Sequence, residues 1–320
     1  AALAAGWYAL RAQRDRAPGE PSTAVPLTSL PGVELDPALS PDASRVAFVW
    51  DGPDRSNFDV YVKEIGGGEM VRVTHDPAAD HRPVWSPDGS RLAFLRKRGR
   101  GADVLLAPAG GGPEQKLAEL SDLARLYLED VWAYWLDWSP DGRFLAASDR
   151  GADGLSWSVF LISVETGEKR AVTVTGSSRV FDRLPAFSPD GRTLAFLRGS
   201  FAPEADVLVQ PLTRDGTPAA PAKAIPEAVE VTAANSLLWT SEGRELVVAD
   251  QRVPLDGSRV RRFQLPGREG PGLWSGVQEQ FSLRGTRLVF STPEDGRRLF
   301  RVALAGASDE TPRAFLASTR

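Results

Sequence analysis

The sequence contains no cysteine and only two histidines, and the second of them is His81. The missing thiols exclude disulfide bonds, cysteine-ligated zinc and thiol catalysis. Because no histidine follows His81, no late serine can belong to a catalytic Ser–Asp–His order of the α/β-hydrolase kind. A Gly-x-Ser-x-Gly nucleophile motif is also missing, since residues Gly272–Gly276 have the wrong spacing. We therefore expect this chain not to be an enzyme.

Neither sign of charge dominates, because 38 lysines and arginines stand against 42 aspartates and glutamates, for a formal net charge of −4. Basic and acidic residues are interspersed, which argues against a surface that binds nucleic acid. A hydrophobic content of 42% is enough for a large core, and 30 glycines with 25 prolines are typical of a turn-rich all-β chain.

The N-terminus lacks an apolar run of full membrane-spanning length, since Ala1–Leu10 is only half of the roughly 20 residues required. Trp7 and Tyr8 are typical of the membrane interface, and three arginines follow by residue 16. We interpret residues 1–16 as the end of a transmembrane helix, a truncated membrane anchor. The alternative is a short soluble helix or a disordered tail. Residues 17–26, with three prolines, predict a linker, and residues 27–320 form the main domain.

One short phrase, Trp-Ser-Pro-Asp-Gly at Trp85–Gly89, organises this domain. Proline presets φ for the second position of a turn, and glycine takes the left-handed position that closes it. The phrase therefore predicts a strand, a tight hairpin loop and a second strand. In the second strand Leu92 and Phe94 alternate with Ala93 and Leu95, so both of its faces should be buried.

The phrase occurs six times, four times with Ser-Pro-Asp and twice in eroded form. Its hydroxyl residue lies at positions 40, 86, 139, 188, 240 and 282, which gives steps of 46, 53, 49, 52 and 42 residues. A repeat of about 40–50 residues made of short strands is the signature of a β-propeller blade. We predict an all-β fold, a six-bladed β-propeller of four-stranded antiparallel blades. Two segments, Val25–Leu30 and Arg313–Ala317, look like outer strands, and either could close the ring.

These repeats resemble the TolB-like family of β-propellers, whose blades carry W/F-S-P-D-G-x-x-[IL]-[AV]-F, a further strand and a Gly-Gly turn. A closer resemblance is to the extracytoplasmic propellers of membrane-tethered bacterial regulators. Those regulators place a CadC-type winged-helix domain or a Ser/Thr kinase domain before one transmembrane helix. The phrases that carry the resemblance are Leu27–Gly32, Phe58–Lys63, Thr74–Trp85 and Leu161–Lys169.

The resemblance implies a non-enzymatic sensing or protein-interaction domain without a cofactor. It would lie on the periplasmic side, be tethered to the inner membrane through its N-terminal helix, and bind a protein or small-molecule ligand on a loop face. One alternative is a TolB-like periplasmic scaffold that docks envelope proteins. The other is the propeller of a prolyl-oligopeptidase-type peptidase that lacks its hydrolase domain.

Candidate contact residues lie where the copies differ. An aromatic cluster in an insertion between repeats predicts either a stacking platform for a ligand or peptide, or a plug over a blade junction. Its members are Tyr127, Trp132, Tyr134 and Trp135. A basic hairpin tip predicts a solvated loop or a contact with anionic lipid or an acidic partner. That tip consists of Arg96, Lys97, Arg98 and Arg100.

The segment His75–His81 (HDPAADH) combines two histidines with two aspartates, which are ligand types for zinc or nickel. The simpler interpretation is a turn between blades that starts at Asp76 and is capped by Asp80. We favour the turn and predict no metal site in this chain.

Overall fold

The computed structural model describes residues 25–121, 135–151, 156–177, 180–200, 205–225, 237–248, 251–255, 261–262, 281–284, 287–291 and 299–303. These residues form 24 strands and no helix. Within this part of the chain, accordingly, no helical segment is long and apolar enough to cross a membrane. The helix predicted for residues 1–16 lies outside the described residues.

The strands form six four-stranded units, here called sheets, in which sequential neighbours are antiparallel. A single parallel pair, Trp157 with Phe181, joins the third unit to the fourth. The first strand of the chain, β1 (Val25–Pro26), belongs to the last sheet. The first sheet contains β2 (Glu34–Leu39), β3 (Arg45–Trp50), β4 (Asp59–Glu64) and β5 (Val71–Arg72). The second contains β6 (Asp80–Trp85), β7 (Arg91–Arg98), β8 (Gly101–Pro108) and β9 (Gln115–Leu120). The third contains β10 (Leu136–Trp138), β11 (Phe144–Arg150), β12 (Trp157–Ser163) and β13 (Lys169–Ala171).

The remaining sheets follow the same order. The fourth contains β14 (Phe181–Phe187), β15 (Thr193–Gly199), β16 (Ala205–Pro211) and β17 (Lys223–Ala224). The fifth contains β18 (Leu237–Trp239), β19 (Glu245–Val248), β20 (Gln251–Pro254) and β21 (Arg261–Arg262). The sixth contains β22 (Phe281–Arg284), β23 (Arg287–Ser291), β24 (Leu299–Ala303) and β1. We call the first strand of each sheet its inner strand. These strands contact one another in the order β22, β2, β6, β10, β14 and β18. This is the predicted six-bladed propeller.

Each repeated serine is the centre of its hairpin turn. Ser86 is buried; its hydroxyl donates to Asp88 Oδ1 (2.6 Å) and accepts a bond from the backbone amide of Arg91 (2.9 Å). Gly89 closes the turn at φ +69°, and its amide donates to the carbonyl oxygen of Ser86 (2.8 Å). In the first copy Ala43 occupies the glycine position at φ +54°, a left-handed conformation that is strained for a residue with a side chain. The phrase is therefore a device for building blades.

The two faces of β7 pack against different blades, as its alternating pattern predicts. Leu92 and Phe94 join a cluster with the first blade, while Ala93 and Leu95 join a cluster with the third, and all four are fully buried. The anchor aromatic residue links neighbouring blades as well, because Trp85 Nε1 donates to the carbonyl oxygen of Ala38 in the preceding inner strand (2.9 Å).

The N-terminal strand closes the ring, which resolves the choice left open by the sequence. Val25 pairs with Arg301 in β24, and the amide of Leu27 donates to the carbonyl oxygen of Leu299 (2.9 Å). Beyond this strand the buried carboxylate of Glu34 accepts bonds from the Thr28 hydroxyl (2.6 Å) and the Leu299 amide (3.1 Å). The other candidate, Arg313–Ala317, lies outside the described residues.

Candidate functional site

The inner strands of the first, second and fourth blades each contain a β-bulge before a proline. The residues at the bulges are Asp36, Arg82 and Leu184, with φ of +50°, +54° and +54°. A non-glycine residue with positive φ costs on the order of 1–3 kcal/mol, and each of these precedes proline, which restricts it further. Strain that recurs at equivalent positions is often found at functional sites, so these bulges mark the inner strands as the place to look for a binding site.

Four residues from three consecutive blades meet at these positions, and we call them the inner-strand cluster: Asp36, His81, Arg82 and Trp135. Arg82 contacts Asp36 twice: its Nη1 forms an ion pair with Oδ1 (3.1 Å), and its backbone amide donates a hydrogen bond to Oδ2 (3.0 Å). His81 Nδ1 lies 3.4 Å from Asp36 Oδ2. On the other side the guanidinium of Arg82 lies over the indole of Trp135, with Cζ 5.3 Å from the ring centroid. The cluster thus runs as carboxylate, cation and aromatic ring across the first three blades.

The groups around Asp36 stabilise its ionised form. Burial alone would raise the pKa of Asp36, but the guanidinium of Arg82 and the contact with His81 hold the pKa at about 2. Asp36 and His81 are both buried, while Trp135 is partly exposed. The cluster therefore combines a partly exposed aromatic ring with a buried ion pair, an arrangement suited to binding.

The repeat allows the residues at the bulge position to be compared between blades. Asp36, Arg82, Trp135 and Leu184 each lie four residues before a repeated serine, so the fold treats them alike. Around them the turn serines and buried strand residues are nearly the same in every blade. An acid, a base, an aromatic and an aliphatic residue therefore occupy one structural position in four blades.

Of the predicted aromatic contact residues, Trp135 lies in this cluster. Tyr127, Trp132 and Tyr134 lie outside the described residues. The structure also shows how Trp135 is held: it packs against the apolar cluster of the fourth and fifth blades, which includes Leu184. Trp135 is thus positioned between the ion pair on one side and the next blade on the other.

The sequence-based position of Arg96 requires a correction, because it does not lie at an exposed hairpin tip. It is 3% exposed, and its guanidinium donates to both carboxylate oxygens of Asp80 (2.8 Å each). It also donates to Glu114 (2.5 Å) and Asp76 (3.2 Å). The physical reason is that β7 continues to Arg98, so Arg96 is still inside the sheet, opposite Asp80 in the register. We therefore remove Arg96 from the candidate contact residues.

The other three basic residues of that hairpin, Lys97, Arg98 and Arg100, are exposed, as expected. Arg98 pairs with Asp103 (2.8 Å). Their proposed contact with an anionic lipid or acidic partner remains a prediction.

The side chains of the segment His75–His81, for which the sequence favours a turn over a metal site, are divided between different contacts. Asp76 and Asp80 bind Arg96, whereas His81 faces Asp36. Among the described residues, no group of three or more histidine, aspartate or glutamate side chains is arranged to hold a metal ion.

The Asp80 site gives a testable pH dependence. Burial raises the pKa of Asp80 to about 6, and the bonds from Arg96, shared with two other carboxylates, do not offset it. The folded state therefore binds a proton between about pH 4 and pH 6 that the unfolded state has released. We expect the free energy of unfolding, relative to that of Asp80→Asn, to fall by about 2 kcal/mol as pH rises through this window. Urea unfolding of both proteins from pH 4 to pH 7 measures this difference, and a constant difference would contradict the assignment.

Sequence reasoning missed Asp36, Arg82 and the buried ion pairs. A detectable signal existed, because Asp80 and Arg96 are sixteen residues apart and so are Asp182 and Arg198, which form the same bidentate pair (2.7 Å for each bond). Both pairs have the same offset from a repeated serine. Aligning the repeats on that serine, rather than reading each segment by itself, would have shown them.

Comparison with known proteins agrees with this architecture. The model of the TolB beta propeller domain matches residues 22–198. No curated protein matches this chain. A TolB from Acinetobacter baumannii is similar in structure with a TM-score of 0.53 at 16% identity, over 87% of this chain and 56% of that protein. This chain therefore spans about half the length of that TolB.

Two further solved structures share the fold. A putative gluconolactonase has a TM-score of 0.59 at 16% identity, over 92% of this chain and 95% of its own. A prolyl endopeptidase has a TM-score of 0.54 at 18% identity, over 85% of this chain and 40% of its own. Identities this low show the fold alone. The family match, however, covers more than half of the sequence, and with the repeated Ser-Pro-Asp-Gly turns on six four-stranded blades it leads to one conclusion: the chain belongs to the TolB beta propeller domain family.

Proposed function

We propose that this chain is a non-enzymatic interaction domain that binds a protein partner at the inner-strand cluster. The observation that carries the proposal is the difference in chemistry among Asp36, Arg82, Trp135 and Leu184, which occupy one structural position in four blades. A partner that contacts the centre of the ring would touch several blades at once and could be recognised by those differences. The partly exposed Trp135 beside a buried ion pair has the character of an interface hot spot.

A non-enzymatic role is supported by the state of the repeated serines. Ser40, Ser86, Ser139 and Ser188 are buried, and the hydroxyl of each donates to the aspartate two residues later in its own turn. These hydroxyls are structural and are not placed to attack a substrate. The single described histidine of the cluster, His81, faces a carboxylate and lies 5.4 Å from the ring of Phe58, in a buried setting.

We further propose that the domain is the periplasmic part of a bacterial regulator tethered to the inner membrane. This part of the proposal is supported by the apolar Ala1–Leu10 with its flanking arginines and by the phrases shared with such regulators. The output domain would be a winged helix or a kinase, and partner binding at the ring would be relayed through the N-terminal helix.

The similarity to TolB favours a second candidate, a periplasmic scaffold that docks envelope proteins. The two candidates share the binding surface and differ in what surrounds the domain. Reading the coding sequence on both sides of this chain separates them. A preceding cytoplasmic domain and completed transmembrane helix support the regulator, a cleavable signal peptide supports the scaffold, and a following Gly-x-Ser-x-Gly hydrolase domain would contradict both.

Site-specific photo-crosslinking in the producing cells tests the binding surface. A photoreactive phenylalanine replaces Trp135 in one variant and Glu242 in a matched control. The exposed side chain of Glu242 lies in the turn between an inner strand and the next strand, at the other end of the inner strands. We expect a discrete protein adduct from position 135 and none from position 242. Absence of an adduct at 135, or the same adducts from both positions, would contradict the proposal.

A further inference from the structure

Arg183 is an arginine of the inner strands whose charge no described carboxylate balances. It lies in β14, five residues before the repeated serine, at the position that His81 has in β6. The side chain is partly buried, and burial lowers the pKa of its guanidinium. Within the described chain, this guanidinium makes no hydrogen bond or ion pair. Charged groups removed from water are normally paired, and among the described residues Arg183 has no anionic partner.

Comparison of equivalent positions shows which group is missing. His81 and Arg82 both face Asp36, which lies in the preceding inner strand. For Arg183 the equivalent position in the preceding inner strand belongs to Trp135, four residues before its serine as Asp36 is before its own. The repeat has therefore replaced a carboxylate by an aromatic ring while keeping a basic residue opposite.

Two buried carboxylates of the third and fourth blades are already engaged with other groups. Asp182 is bound bidentately by Arg198, with both bonds 2.7 Å long. Asp149 binds Lys169 and accepts a bond from the backbone amide of Ser121 (2.8 Å). Both are occupied by other groups, so a binding partner can supply the anion at this position.

We propose that Arg183 binds a carboxylate from an acidic segment of the protein partner, and that an apolar group beside that carboxylate packs on Trp135. A guanidinium recognises a carboxylate through two parallel hydrogen bonds, and an indole offers an apolar face. This inference rests on the proposed function and specifies its partner. With a net charge of −4, the chain as a whole repels an acidic peptide, so binding of one requires a local basic site.

The test uses a hexaglutamate peptide as probe and the whole chain as receptor, with binding measured by isothermal titration calorimetry at low ionic strength. We expect saturable binding to the wild type and at least a tenfold loss of affinity in Arg183→Gln. Arg192→Gln is the matched control, because it removes the same charge from an exposed position in the same blade and should change the affinity by less than about threefold. Thermal unfolding checks that each variant is folded, and Arg183→Lys, which keeps the charge, should retain part of the binding if Arg183→Gln is unstable.

Absence of saturable binding to the wild type would overturn the inference, and so would equal losses in Arg183→Gln and Arg192→Gln. Failure of this inference can be distinguished from failure of the proposed function. A protein adduct from position 135, together with unchanged peptide binding in Arg183→Gln, would remove the carboxylate assignment and leave the interaction surface intact.

Discussion

Deletion of residues 1–30 is expected to lower the free energy of unfolding by about 5 kcal/mol or more and to cause aggregation. It removes the outer strand of the sixth blade, which pairs with β24, and exposes that edge. It also removes Leu27 and Leu30 from the core cluster that contains Leu299. In addition, the buried Glu34 loses the hydrogen bond donated by the Thr28 hydroxyl. Two lost apolar contacts, one lost hydrogen bond to a buried carboxylate and the exposed sheet edge account for this magnitude.

Deletion of residues 1–20 is the matched control, because it removes none of the described contacts. Urea unfolding and size-exclusion chromatography of both truncated proteins make the comparison. If the two deletions leave the protein equally stable, the N-terminal strand does not close the ring, and the C-terminal candidate Arg313–Ala317 takes its place.

Arg96→Ala is expected to lower the free energy of unfolding by about 3–5 kcal/mol. The variant leaves the carboxylate of Asp80, whose side chain is 0% exposed, without its bidentate partner. It also leaves Glu114 and Asp76 beside that carboxylate with no guanidinium to compensate their charges. Breaking a buried ion pair on one side is costly because the remaining charge stays desolvated. The measurement is urea unfolding at pH 7, where Asp80 is ionised in the wild type.

The control for this prediction is Arg98→Ala, in the same strand. Its side chain is 54% exposed where it pairs with Asp103, so the expected loss is below about 1 kcal/mol. Combining Arg96→Ala with Asp80→Asn should recover part of the stability, since it removes the isolated charge. Equal effects of Arg96→Ala and Arg98→Ala would show that Arg96 is not the buried centre described above.

The blade architecture could be predicted from the sequence because its chemistry is local. Ser86, Asp88 and Gly89 lie within four residues of one another, and each has a separate role in one turn. The same holds for the strain at Ala43, which follows from replacing a left-handed glycine. Strand alternation in β7 likewise reports burial on both faces without knowledge of distant partners.

The candidate site could not be predicted in the same way, because its contacts join residues far apart in the chain. Arg82 is 46 residues from Asp36, and the bulges that bring them together change the strand register before each proline. Arg96 was misplaced for a related reason. The end of the strand at Arg98 is determined by pairing with β8, and nothing local distinguishes a buried arginine at position 96 from the exposed ones that follow it.

The most direct test of the central claim is the affinity of the partner captured through position 135 for wild-type and variant propellers. With purified partner, at a temperature where thermal unfolding shows both proteins to be folded, we expect Trp135→Ala to weaken binding at least tenfold. Glu242→Ala, at the opposite end of the inner strands, should leave the affinity unchanged. Unchanged affinity in Trp135→Ala, or an equal loss in Glu242→Ala, would contradict the conclusion that the inner-strand cluster is the binding surface.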